Sequence, residues 1–391
     1  MTSRMPSIGL LTQCCVLPVD ERRAQAIASL MKGSIIDWED LIITAAENRV
    51  IPQLYLCLSG LESSGPLVVP SQVLNTFKAL YNKQVANNFR VTELLNSVLN
   101  SFVQNGVETI MIKGAAASQY GYGFPNIREM VDVDLLLVDS GSTETARRLL
   151  SGMGLIQEKI SHLQQDPFGA GYKFQYISGG GPLGVDLHAA IGTGGFAYLP
   201  SSALSRGALK VRIGANEASV TSPEDTLLVT CANAVGGGRF LMRDLLDTVT
   251  VLGHDHVDCS HILERAGSFG LVFPLYSQLA LASRLDETLG LQDFRDRFMP
   301  MLPKMFRGYV LDASRFGETS GSISLKSFRD NYFLPSKLGR TYPARNLVTT
   351  TRELMRRWAK EGGIYGGLSE FVAWKSKEMI KRAAQKLSSK H

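Results

Sequence analysis

Residues 128–138 read REMVDVDLLLV, an apolar, strand-forming run interrupted by Asp132 and Asp134. A carboxylate that is desolvated and unpaired costs several kcal/mol, so two of them in such a run need a reason. Side chains alternate along a strand with period 2, so both acids share one face. Two hard oxygen ligands on one face suit a Mg2+ ion, whose charge offsets their mutual repulsion.

Working outward, VETIMI (107–112) is a β-rich run, and KGAAASQYGYG (113–123) is a glycine step into a short helix of small residues. After the acidic strand, SGSTETARRLLSGMGL has a serine start, helical apolar spacing and a Gly154 stop. GYKFQYI (171–177) and LGVDLHAAI (183–191) alternate with period 2 around SGGGP, which predicts a hairpin. That hairpin carries a third strand carboxylate, Asp186, with His188 two residues on and hence on the same face. Three acids form a ligand set for one or two Mg2+ ions, and two ions about 3.5–4 Å apart activate a hydroxyl and stabilise a leaving phosphate. His188 reads either as a group touching a reactant or a ligand acid, or as a packed, hydrogen-bonded histidine.

Ahead of the acids, Lys113-Gly114 stands at a strand-to-helix step, where backbone N–H groups and a lysine favour a triphosphate. The step is not a Walker A loop, because G-x-x-x-x-G-K-[ST] is absent. Arg128, four residues before Asp132, reads as a second cation for phosphate oxygens or as the partner of an acid.

The flanks are helical in pattern. DERRAQAIASLMKG (20–33), WEDLIITAAENRV (38–50) and a long segment from PSQVLNTF to the glycine of QNG (104–106) have helical spacing. From SPEDTLLVTCANAV (222–235) the period returns, with Ser222 as cap and Glu224 and Asp225 in the first turn, and RFLMRDLLDTVTVLG (239–253) continues it. VGGGR (235–239) reads as a break between helices that presents Arg239 or Arg243 to the site. HDHVDCSH (254–261) offers His254, His256, Asp258, Cys259 and His261 as possible zinc ligands, but its spacing fits no structural zinc pattern, and it reads as a polar loop.

The 391 residues, 45% hydrophobic and 20% charged, describe a globular chain of several domains. No stretch approaches the roughly 18 uninterrupted apolar residues of a membrane span. No small-residue cleavage site follows the first apolar stretch, and the five cysteines form no C-x-x-C pair, so a cytoplasmic protein is expected. Formal net charge is +5, yet residues 301–391 carry 18 Lys/Arg against 7 Asp/Glu, a local +11, which leaves residues 1–300 at −6. The basic end reads as a polyanion-binding segment, nucleic acid included, or as a solvated basic face.

The stretches IMIKGAAASQYGYGFPNIREMVDVDLLLV, GVDLHAAI and SPEDTLLVTCANAVGGGRFLMRDLLDTVTVL together resemble the bacterial nucleotidyltransferase family related to the polymerase-β superfamily. The resemblance covers roughly residues 38–253. It implies an α/β (α+β) fold whose small mixed-sheet core, 106–192, is embedded between helical regions: 1–105 before it, and after it a helical domain at 193–300 and a basic, mostly helical 301–391. It further implies transfer of NMP from an NTP such as ATP to a hydroxyl or phosphate, with release of pyrophosphate. Asp132 and Asp134 would bind both Mg2+ ions (or Mn2+), Asp186 the ion that activates the hydroxyl, and Lys113, Gly114 and Arg128 the triphosphate. The acceptor classes are a small molecule, a peptide or protein side chain, and an RNA 3′ end. Ala115 stands where the wider superfamily often has serine, so one phosphate-contacting hydroxyl is missing. The alternative from another class is a catalytically silent nucleotide-binding or interaction module.

Overall fold

The computed structural model describes residues 4–33, 35–63, 69–122, 127–158, 171–178, 181–192, 198–237, 239–254, 257–269, 271–283, 285 and 323–324. All of them belong to one compact unit, Met1–Pro335. The reading of the basic C-terminal region therefore lies outside the described residues, except for 323–324.

Four helices open the chain: α1 (Arg4–Cys14), α2 (Glu21–Gly33), α3 (Trp38–Glu47) and α4 (Ile51–Ser63). Two of the starts have a chemical signal. The Asp20 carboxylate accepts from Arg23 N at 2.7 Å, and Asp37 caps α3 by accepting from Asp40 N at 3.0 Å. Their apolar faces meet, with Leu10, Leu11, Ile27, Leu41 and Leu54 fully buried. The apolar N-terminal run is thus a core helix of this bundle, and among the described residues no helix is long and apolar enough to cross a membrane. Helix α5 (Ser71–Gln104) spans 34 residues and ends before Gly106, whose φ of 68° is the left-handed conformation that glycine tolerates.

A seven-stranded sheet follows. Its strands are β1 (Thr109–Met111), β2 (Asp132–Leu137), β3 (Ile156–Gln157), β4 (Gly171–Ser178), β5 (Gly181–His188), β8 (Leu209–Ile213) and β9 (Asn216–Val220), with β6 (Ala190–Gly192) and β7 (Tyr198–Pro200) forming a separate pair. The order is β3-β4-β5-β2-β1-β9-β8. β2/β5 and β1/β9 are parallel and the other neighbours antiparallel, so the sheet is mixed. β2 is central, which explains its apolar sequence: Val133, Leu135, Leu136 and Leu137 are essentially inaccessible. Helices α6 (Lys113–Ala117), α7 (Thr143–Gly152) and α8 (Ser201–Ser205) connect the strands. The hairpin β8-β9 extends the sheet beyond residue 192, where the sequence pattern suggested helices alone. Its burial explains the gap: in β8 only Ile213 is buried, so alternation is faint.

The remaining helices are α9 (Pro223–Gly237), α10 (Met242–Leu252), α11 (Cys259–Phe269) and α12 (Val272–Ala282). Ser222 Oγ accepts from Asp225 N at 3.1 Å at the start of α9. In α10, the Asp244 carboxylate accepts from Leu241 N at 3.2 Å, which closes the helix start. Between them Arg239–Phe240 pairs antiparallel with Ile323–Ser324.

Candidate active site

The parallel pairing of β2 with β5 sets Asp134 opposite Asp186 and Asp132 opposite Gly184. With period 2, Asp132, Asp134, Asp186 and His188 therefore lie on one face. Gly184 fits this register because a Cβ there would sit 3.1 Å from Asp132 Cβ. The ligand atoms of Asp134, Asp186 and His188 fall within 4.8 Å of one another. All three predicted acids line one cavity of about 260 Å³.

Cations already balance two of the acids. Lys113 Nζ lies 2.6 Å from Asp134 Oδ1, and Lys173 Nζ lies 2.9 Å from Asp186 Oδ2. Lys173 stands directly across the β4/β5 ladder from Asp186, on the same face. Lys113 reaches inward from a backbone φ of 51°, a left-handed conformation that costs a non-glycine residue about 1 kcal/mol or more. His188 Nε2 lies 2.9 Å from Asp134 Oδ1 and 3.3 Å from Lys113 Nζ.

The electrostatics separate the two β2 acids. Burial raises the Asp134 carboxyl, but Lys113 and His188 outweigh it and hold the group well below the usual carboxylate range. Asp132 is pushed up to about 6 by burial and by the charges of Asp134 and Asp186. Burial and the Lys113 ammonium lower the His188 imidazole, which favours its neutral form. For Lys173, desolvation is overcome by Asp186 and the pKa rises.

Helix α5 aims this strand. Asn88, fully buried, donates to Arg128 O at 2.8 Å and accepts from Met130 N at 3.1 Å, while Asn87 donates to Met130 O at 2.8 Å. The segment leading into β2 is thus held by side-chain amides that no catalytic motif would flag.

Arg128 lines the cavity, but its fork is committed: Nε donates to Asp247 Oδ1 and Nη2 to Asp247 Oδ2, both at 2.7 Å. Tyr122 Oη donates to the same carboxylate at 2.6 Å. Burial opposes the guanidinium charge, and Asp247 more than offsets it, raising the pKa. Of the two sequence readings, the structure places Arg128 in an ion pair with an acid. Gly114 packs against this arginine, since a Cβ there would come within 2.5 Å of Arg128 Nη1. Lys113 and Gly114 both line the cavity, with the lysine turned to Asp134.

Other lining residues escaped the sequence pattern. Lys173 was readable only once the hairpin register was fixed, whereas Arg49, Asp244 and Asp247 arrive from helical regions distant in sequence. Arg243 lines the cavity as read, but the side chain of Arg239 lies outside the described residues. Within HDHVDCSH, residues 255 and 256 lie outside the described residues as well. The metal-competent cluster found among the described residues is Asp134, Asp186 and His188.

A family model described as uncharacterised nucleotidyltransferase matches residues 34–285, well over half of the chain. The chain belongs to that family. The match to this nucleotidyltransferase family spans α3 to α12, and so takes in the whole sheet and every cavity residue named above. No curated protein matches the sequence. Among solved structures, the solution structure of the antibiotic-resistance factor ANT(2'')-Ia has 13% identity and a TM-score of 0.31, covering 55% of this chain and 96% of its own. A crystal structure of an antigenic nucleotidyltransferase-like protein from Paracoccidioides brasiliensis has 14% identity and a TM-score of 0.31, covering 54% of this chain and 91% of its own.

Proposed function

We propose that this member of the nucleotidyltransferase family is a Mg2+-dependent enzyme that transfers NMP from an NTP to a hydroxyl or phosphate of an acceptor, releasing pyrophosphate. The observation that carries the reading is the register of β2 against β5, which sets Asp134 beside Asp186 with Asp132 on the same face of one cavity. The donor set fits a hard divalent cation: carboxylate oxygens dominate, and a neutral His188 nitrogen within reach also suits Mn2+. Asp132, Asp134 and Asp186 would hold it, and when bound it supplies positive charge to the phosphates and acidifies the attacking hydroxyl.

The chain's own residues supply the rest. With a cation held by Asp134 and Asp186, the Lys113 and Lys173 ammoniums would be released from their present partners and would serve as counter-charges for phosphate oxygens in the cavity they line. Lys113 is the better placed, because its backbone opens α6 beside Gly114. The leaving pyrophosphate would be steadied there. Asp186, on β5, would orient the acceptor hydroxyl.

The second reading, a silent nucleotide-binding module, has one observation in its favour: Lys113 and Lys173 already neutralise Asp134 and Asp186 without a metal. One experiment separates the two. Purified protein is incubated with each α-labelled NTP and Mg2+ and with RNA, peptide and cell-extract acceptors, following pyrophosphate and label. Label transfer that vanishes in Asp132→Ala is expected. Nucleotide binding without transfer to any acceptor would instead favour the silent module.

A further inference from the structure

Five cationic side chains line the cavity: Arg49, Lys113, Arg128, Lys173 and Arg243. Three are engaged by Asp134, Asp247 and Asp186 at 2.6–2.9 Å. The two arginines remain. Arg243 touches Asp244 only at 3.4 Å, and its Nε is buried without a hydrogen-bond partner among the described residues. A buried donor left unsatisfied is costly and asks for an acceptor. The Arg49 backbone N–H donates to Ala46 O at 3.0 Å, but its guanidinium makes no hydrogen bond, and no ion pair within 4 Å, among the described residues.

These two cations are placed together by the fold. Asn48 O accepts from Arg243 N at 3.3 Å and Asn48 Oδ1 from Met242 N at 3.1 Å, which ties the start of α10 to the residue preceding Arg49. Arg49 itself has φ 57°, again a left-handed conformation at a non-glycine residue. Burial and then the neighbouring Arg243 charge depress its guanidinium pKa, against the pull of Glu129, Asp132 and Asp244. Two like charges held close in a half-desolvated cavity are a standing repulsion that a bound anion relieves. Guanidinium forks match phosphate oxygens bidentately.

We propose that Arg49 and Arg243 form a phosphate-binding subsite in the cavity that holds the three acids. The phosphate has two sources, the tail of the NTP or a phosphorylated acceptor. Assigning it to a reactant rests on the nucleotidyl-transfer reading; the binding itself does not.

The probe is inorganic phosphate, titrated calorimetrically into the full chain at low salt with chelator present. Wild type should bind saturably, Arg49→Gln and Arg243→Gln should each weaken binding about tenfold or more, and the charge-keeping variants Arg49→Lys and Arg243→Lys should keep part of the affinity. Far-UV spectra and melting curves identify any variant that fails to fold, and the lysine variants then carry the comparison. No saturable binding to wild type, or wild-type affinity in both folded glutamine variants, overturns the subsite. The titration is then repeated with Mg2+ and each NTP. Competition that disappears with the arginines assigns the subsite to the triphosphate tail, and simultaneous binding assigns it to a phosphorylated acceptor. Arginine-dependent phosphate binding in a protein that binds no NTP would sink the nucleotidyl-transfer reading while the subsite stands.

Discussion

Two sets of ion pairs meet in one cavity, and they differ in what they leave free. Lys113–Asp134 and Lys173–Asp186 join ammonium point charges to the strand acids, with the Lys173 side chain 54% exposed and single contacts at 2.6 and 2.9 Å. Arg128–Asp247 is a bidentate fork, 5% and 2% exposed, whose carboxylate also takes the Tyr122 hydroxyl. A compact ammonium on a flexible stem yields to a competing cation, whereas a buried fork with its lone pairs filled does not. The first set is suited to be exchanged and the second to hold the cavity wall in place. Both join one basic to one acidic side chain, so the shape of the cation, exposure and the number of bonds, rather than net charge, separate a reactive site from a structural one.

The sharpest way to break this comparison is to cut both sets and read both activity and stability. Asp134→Ala should lower nucleotidyl transfer by about three orders of magnitude or more, as expected for the loss of a metal-holding group, while the melting temperature stays within a few degrees. Chelation of wild type should give the same loss, restored by Mg2+. Asp247→Ala should act the other way. Removing one partner of a buried pair leaves Arg128 charged and unsatisfied, and urea unfolding should show a loss of about 3–5 kcal/mol. Similar stability losses in both variants would show that the two sets are not different in kind.

The acids were legible because a strand obeys a short period: Asp132 with Asp134, and Asp186 with His188, could each be put on one face from spacing alone, while the register that joins the two pairs came from the structure. The hairpin 171–188 was legible for the same reason. What was not legible depends on long-range packing. Arg128 finds Asp247 across 119 positions, and the Asn48 hydrogen bonds to Met242 and Arg243 span nearly 200 residues. No local pattern announces such partners. The β8-β9 hairpin was missed for a different cause, a mostly exposed strand whose alternation carries little apolar contrast. The amides of α5 that grip residues 128–130 were passed over because Asn and Gln on a long helix look like solvent-facing residues until the strand arrives.

Smaller effects sharpen the contrast. Asp132 is half-buried beside two like charges, and its carboxyl is pushed up to about 6, so near neutrality it is ionised at some cost to the fold. With chelator at pH 7.5, Asp132→Asn should therefore raise stability by about 1–2 kcal/mol, opposite in sign to Asp247→Ala. Unchanged or lower stability would mean that the acidic face is not strained.

Lys173 provides the finest test, because its ammonium occupies a carboxylate that a metal is proposed to share. In Lys173→Met the aliphatic stem is kept and the competing charge removed. Asp186 then loses its counter-charge, and a divalent cation no longer has to displace one. Mn2+ affinity, followed by electron paramagnetic resonance of free ion, should rise about two- to fivefold, a modest change because the lysine is half in water and its pair is screened. The unfolding midpoint should hardly move, since a half-exposed pair contributes about 1 kcal/mol or less. Weaker Mn2+ binding in this variant would show that Lys173 orders Asp186 rather than competes for it, and the exchangeable set would shrink to Lys113 and Asp134.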